Sequence, residues 1–120
     1  MKFLAMIFNN PDAFESLSPA ERDSMMGEAD SFISTFSESG EFLGGSALAH
    51  PATAKTVRVR GGVPAATDGP FAEAKEYLAG YYVIDCESIE RAVEIVAQDP
   101  AAKYWAVEVR PIMDEAGAEM

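Results

Sequence analysis

The sequence predicts an α+β domain in which two helices cover one face of a mostly antiparallel sheet. Two apolar stripes at helical spacing each follow a capping serine, Ser18 and Ser88. Runs of strand length and strand composition lie before, between and after them. The resulting order is strand, helix, strand, a hairpin extension, strand, helix, strand, which is the ferredoxin-like arrangement.

Each element has a local cause. Lys2 to Phe8 is almost continuously apolar, as expected of a central strand covered on both faces. Asn10-Pro11-Asp12 breaks it. Ser18-Pro19-Ala20-Glu21 reads as a capping box with proline at the first helical position. Met25, Met26, Ala29, Phe32, Ile33 and Phe36 follow as one stripe, and Gly40 ends the helix. Phe42 to Leu48 is a strand, and its Gly44-Gly45 pair indicates a bulge or a close backbone approach. Thr56 to Arg60 alternates, with Val57 and Val59 on one side and Thr56, Arg58 and Arg60 on the other. Gly61-Gly62 turns the chain into a short edge strand, Val63 to Thr67. Tyr77 to Asp85 is the next strand. The second helix carries the stripe Ile89, Ala92, Val93 and Val96 and stops at Asp99-Pro100. Tyr104 to Arg110 is the last strand, with Trp105, Val107 and Val109 on one face.

Helices on one side leave the other sheet face bare, and that face also carries apolar groups. Leaving them in water costs about 25 cal/mol per Å². A homodimer packed through the bare faces is therefore expected. One domain over 1–113 with a fraying tail at 114–120 fits the length.

The net charge is −11, from 20 acids and 9 bases. Such a chain repels nucleic acid and anionic membranes. The lone cysteine, Cys86, cannot form an internal bridge, which favours a reducing, cytoplasmic setting, and it reads as a buried structural thiol. His50 stands apart from any second histidine or cysteine and reads as a surface residue, so no metal is expected. No cofactor is expected either. Against the acidic background, Lys55, Arg58 and Arg60 cluster, with Lys75 downstream, and a small anion is the ligand that such a cluster suits.

Thr67-Asp68-Gly69-Pro70-Phe71-Ala72-Glu73-Ala74-Lys75-Glu76 reads as a sharp turn leading into a strand. Asp68 either caps that turn or offers a carboxylate as base or ligand, and Phe71 is expected to plug the core. Lys75 and Glu76 form either a solvated pair or an anion holder with a proton carrier. Arg58 and Arg60 form either a polar outer face or a paired clamp for carboxylate or phosphate. Arg110 could do the same or pair with Glu108.

The motif around Asp68-Gly69-Pro70-Phe71 resembles the signature of the DGPF, or YCII-related, proteins. The likeness extends along nearly the whole chain. It includes Leu17-Ser18-Pro19-Ala20-Glu21-Arg22, Leu43-Gly44-Gly45, Thr56-Val57-Arg58, Gly80-Tyr81-Tyr82 and Val107-Glu108-Val109-Arg110-Pro111. The resemblance implies a ferredoxin-like subunit that dimerises as an α/β barrel. The broader group includes small-molecule enzymes with a His-Asp pair, among them a dehydrochlorinase, whose histidine lies on or near the first helix. Here Glu21 to Phe36 contains no histidine. The resemblance also implies a setting beside extracytoplasmic-function sigma factors. Two readings follow: a protein that binds or transforms a small anionic molecule with acid–base residues, or a non-enzymatic regulator with a sigma-factor partner.

Overall fold

The computed structural model describes residues 1–72, 74–114 and 117. Its elements run β1 (Lys2–Asn9), α1 (Pro11–Glu15), α2 (Pro19–Glu38), β2 (Phe42–Ala47), a single 3-10 turn (Pro51–Thr53), β3 (Lys55–Arg60), β4 (Val63–Asp68), β5 (Tyr77–Asp85), α3 (Ile89–Val96), α4 (Pro100–Tyr104) and β6 (Ala106–Pro111). The main sheet has four strands in the order β2-β5-β1-β6, all neighbours antiparallel. This is the ferredoxin-like α+β fold. Strands β3 and β4 form a separate two-stranded sheet. The tail expected to fray lies largely outside the described residues.

Strand β1 is central, paired with β5 on one side and β6 on the other. Its alternate residues Phe3 and Ala5 are fully buried beneath the helices, together with Tyr82 and Ile84 of β5. Helix α2 starts as expected. Ser18 Oγ accepts from the Glu21 amide, and the Ser18 amide donates to the Glu21 carboxylate. Its stripe, however, is only partly covered. Met25, Phe32 and Phe36 are buried, whereas Met26 is 56% and Ile33 43% exposed. The reason is that α2 stands away from the β2 edge of the sheet and leaves a cleft there. In α3 the buried residues are Ala92, Ile95 and Val96, while Ile89 and Val93 face outward. The covered stripe is therefore rotated toward Ile95.

Two prolines expected only as breaks instead open short helices. Asn10 caps α1 and Asp99 caps α4, each accepting an amide two residues on, with proline at the first turn. Because α4 takes up Tyr104, the last strand begins at Ala106 rather than Tyr104. Trp105 leaves the strand face and packs its ring against Phe14 of α1, with centroids 6.0 Å apart.

The Gly44-Gly45 expectation holds in both forms. The β2–β5 register slips between Phe42 and Gly44, and Gly45 lies against the backbone of Tyr81 and Tyr82. Gly61 and Gly62 have φ of +56° and +77°, the left-handed pair of a tight hairpin.

A fork of hydrogen bonds ties α3 to the start of β2. Arg91 donates from Nε and Nη2 to the two carboxylate oxygens of Glu41, each at 2.9 Å. These bonds hold the Glu41 carboxyl below its ordinary value of 4.5. A depressed carboxyl contributes stability that is present above the ordinary value and is lost as pH falls through the folded one. Acid titration of unfolding free energy is therefore expected to show a falling limb below pH 4.5 that flattens in Glu41→Gln. An unchanged limb in the variant would remove this pair from the acid response.

Candidate functional site

Between α2 and the β2–β5 side of the sheet lies a cleft of about 800 Å³. That is within the range of small-molecule sites, ~300–1,000 Å³. Met26, Ala29, Phe32 and Ile33 of α2 form one wall. Ile7, Phe42, Leu78 and Tyr82 of the sheet form the other, and Phe14 and Trp105 lie at one end. The walls hold their shape through ring contacts. Phe32 packs on Phe36, Phe42 and Tyr82, with centroids 5.2, 6.2 and 5.6 Å away.

Few polar groups face this space. The principal pair is buried: Tyr82 donates its hydroxyl to Asp99 Oδ2 at 2.8 Å. Asp99 Oδ1 accepts from the Ala101 amide at 2.9 Å, which fixes the carboxylate at the start of α4. Burial first, and then the Asp99 charge and hydrogen bond, push the Tyr82 phenol far above its ordinary range, so it stays a neutral donor. A carboxylate offers about four lone-pair positions, so Asp99 can still accept a donor from a ligand. At the rim, His50 Nδ1 accepts the Ala52 amide at 3.0 Å. In the neutral ring that places the proton on Nε2. The charged or titratable side chains at the cleft otherwise include Glu15, and no lysine or arginine lines it among the described residues.

The residues singled out in the sequence lie elsewhere. Asp68 ends β4, with its side chain 84% exposed, and pairs with Lys55 across the hairpin. Phe71 does not plug the core. It is 74% exposed, and the Arg58 guanidinium stacks over its ring at 4.7 Å. The turn is instead held to the hairpin base by the Gly69 amide on the Ala54 carbonyl and by Thr56 Oγ1 on the Gly69 carbonyl, both at 2.8 Å. Arg60, Lys75 and Glu76 are exposed. None of Arg58, Arg60, Asp68, Lys75 and Glu76 lines the cleft of its own chain. Arg110 pairs with Glu108 at 2.8 Å. Cys86 is buried, and burial pushes its thiol up, away from the reactive thiolate. Among the described residues no three of His, Cys, Asp and Glu converge as a metal-binding group. No helix there is long and apolar enough to cross a membrane.

The comparisons agree with this architecture. A family model for the YCII-related domain matches residues 1–116. The chain belongs to the YCII-related family. An uncharacterised protein of Rhizobium meliloti (strain 1021) is 32% identical over 115 residues, covering 93% of this chain and 92% of the relative. Among solved structures, the YCII-related chain is similar to 5-chloro-2-hydroxyhydroquinone dehydrochlorinase from Burkholderia phenoliruptrix AC1100, in complex with 2,5-dihydroxybenzoquinone. The TM-score is 0.55 at 14% identity, covering 99% of this chain and all of that one. At that identity the likeness concerns the fold alone, a ferredoxin-like subunit.

Tyr82 and Asp99 escaped the sequence reading because they lie 17 positions apart on different elements. Asp99 was legible as a helix stop. Its second signal, an Asx-Pro pair at a helix start, would have marked it as a cap with a spare oxygen.

Proposed function

We propose that the cleft binds a small, uncharged, hydroxyl-bearing ring compound. The observation that carries this reading is an apolar cleft whose buried polar wall is the Tyr82–Asp99 pair. The apolar walls reward ring burial. Asp99 accepts a ligand hydroxyl, and the Tyr82 oxygen or His50 Nε2 can meet a second polar atom. An anion is disfavoured in the cleft, because it would be buried beside a carboxylate with no cation in the wall. The 2,5-dihydroxybenzoquinone bound by the dehydrochlorinase, a dihydroxylated ring, is of the size and type that this cleft suits.

A thermal-shift screen with hydroquinone, 2-naphthol, benzoate and cyclohexylamine tests the reading. The neutral phenols are expected to raise Tm in a concentration-dependent way, by about 2–4 °C for each kcal/mol of linkage at the upper end of domain size and more for a chain this short. Benzoate is expected to do little. Ala29→Phe, which fills the cleft from α2, should abolish the phenol shift. No phenol response, or a stronger response to benzoate, would overturn it. Retention of a sigma factor by a protein that ignores phenols would put the regulatory reading in its place.

We also propose a homodimer through the bare sheet face. Leu4 and Val83 are direct partners there, as are Met6 and Tyr81. A second copy removes this apolar face from water. Light scattering at high micromolar concentration should give twice 12.9 kDa, and a stable monomer there would refute the dimer.

A further inference from the structure

We propose that the hairpin β3–β4 is an arm that packs on helix α2 of a second copy of this chain, across the mouth of that copy's cleft. The proposal goes beyond the cleft's ligand and does not depend on what the cleft holds.

The hairpin forms its own sheet, and its strand residues are almost entirely exposed. An isolated two-stranded hairpin is marginally stable in water. This one also presents large apolar side chains outward, with Val63 65% exposed. A partner surface would account for both features. The charge of the arm says what kind of surface. The hairpin holds Lys55, Arg58 and Arg60, three of the nine bases of the chain, and only Asp68 of its twenty acids. Its complement is an acidic surface with apolar residues in it.

Helix α2 carries such a surface. Asp23, Met26, Asp30 and Ile33 recur at spacings of three and four and therefore share one face. All four are exposed. Met26 and Ile33 also line the cleft, so this face borders its mouth. On the arm, Arg58 and Arg60 share a face with Val63, which is paired with Arg60 across the hairpin. The two arginines stand about 7 Å apart along the strand. The two aspartates stand about 10 Å apart along the helix axis. Long guanidinium side chains span that difference, and Val63, beside Arg60, then meets Met26, which lies between the two aspartates. Each copy offers one arm and one helix face, so the contact closes by two-fold symmetry.

Hydrogen exchange of the backbone amides of residues 56–67 in the intact protein, at low and high micromolar concentration, reads the docking directly. Wild type is expected to show at least about tenfold slower exchange in this segment at the higher concentration, with the protection weakened by added salt. Arg58→Glu with Arg60→Glu should remove the protection. These positions are exposed, so the fold should persist, with unchanged exchange in β1 and β5 as the internal control. Asp23→Lys with Asp30→Lys should remove it equally. The four changes together in one chain should restore it, since each reversed arm then meets a reversed helix. Fast exchange of residues 56–67 at every concentration would overturn the proposal. So would protection that survives either charge reversal, or a fourfold variant that stays unprotected.

Discussion

Gly45→Ala is expected to destabilise the protein by about 3 kcal/mol or more, a large effect for one methyl group. A Cβ at that position would lie 2.2 Å from the Tyr81 carbonyl oxygen and 2.7 Å from the Tyr82 Cα. Both are backbone atoms of the neighbouring strand, so no side chain can swing aside. Strands β2 and β5 would have to part at the place where β5 delivers Tyr82 to the cleft. Gly27→Ala makes the control. Gly27 lies within α2 with nothing near its would-be Cβ, and removing a helical glycine there should stabilise by about 0.5–1 kcal/mol. Urea unfolding of both variants checks the contrast. Equal midpoints for Gly45→Ala and wild type would show that the close approach carries no cost.

Phe32→Ala is expected to cost about 3–5 kcal/mol. Phe32 is buried and touches three other rings, one from α2, one from β2 and one from β5. Its loss removes the packing that joins the helix layer to the sheet and opens the α2 wall of the cleft. Since small domains hold only ~5–15 kcal/mol in all, Phe32→Leu is the useful companion, expected to cost about 1–1.5 kcal/mol with the denaturant slope unchanged. If Phe32→Ala unfolds at the wild-type urea midpoint, the ring cluster is not what fastens α2 to the sheet.

The fold was legible where local chemistry decides it. The box at Ser18 and Glu21, the glycine pair at Gly61 and Gly62 and the uninterrupted apolar run of β1 each have one good local solution, and the chain takes it. The short helices α1 and α4 were not legible. Five residues give no stripe to read, and proline signals a stop and a start with the same letter. The exposed half of the α2 stripe failed for another reason. Periodicity shows which face is apolar but not whether something lies against it, and at Met26 and Ile33 the neighbour is a cleft. The candidate site was the least legible part. The motif around Asp68 stands out through its turn chemistry, and the structure uses it to tie the base of the hairpin. The Tyr82–Asp99 pair exists only once β5 and α4 are brought together, which no local pattern announces.

The position of β1 has a consequence for synthesis. It is the first strand to be made, yet both of its partners, β5 and β6, follow residue 76. At ~5–20 residues per second, the ribosome needs on the order of 3 to 14 s after finishing β1 to reach β5. During that interval the most apolar strand of the chain has two open edges and no sheet to join. Helix α2 is the nearest completed element that can shelter it, through Phe32 and Phe36. Any contact that shelters β1 in this interval is therefore one between helix and strand, made before either of its partner strands exists.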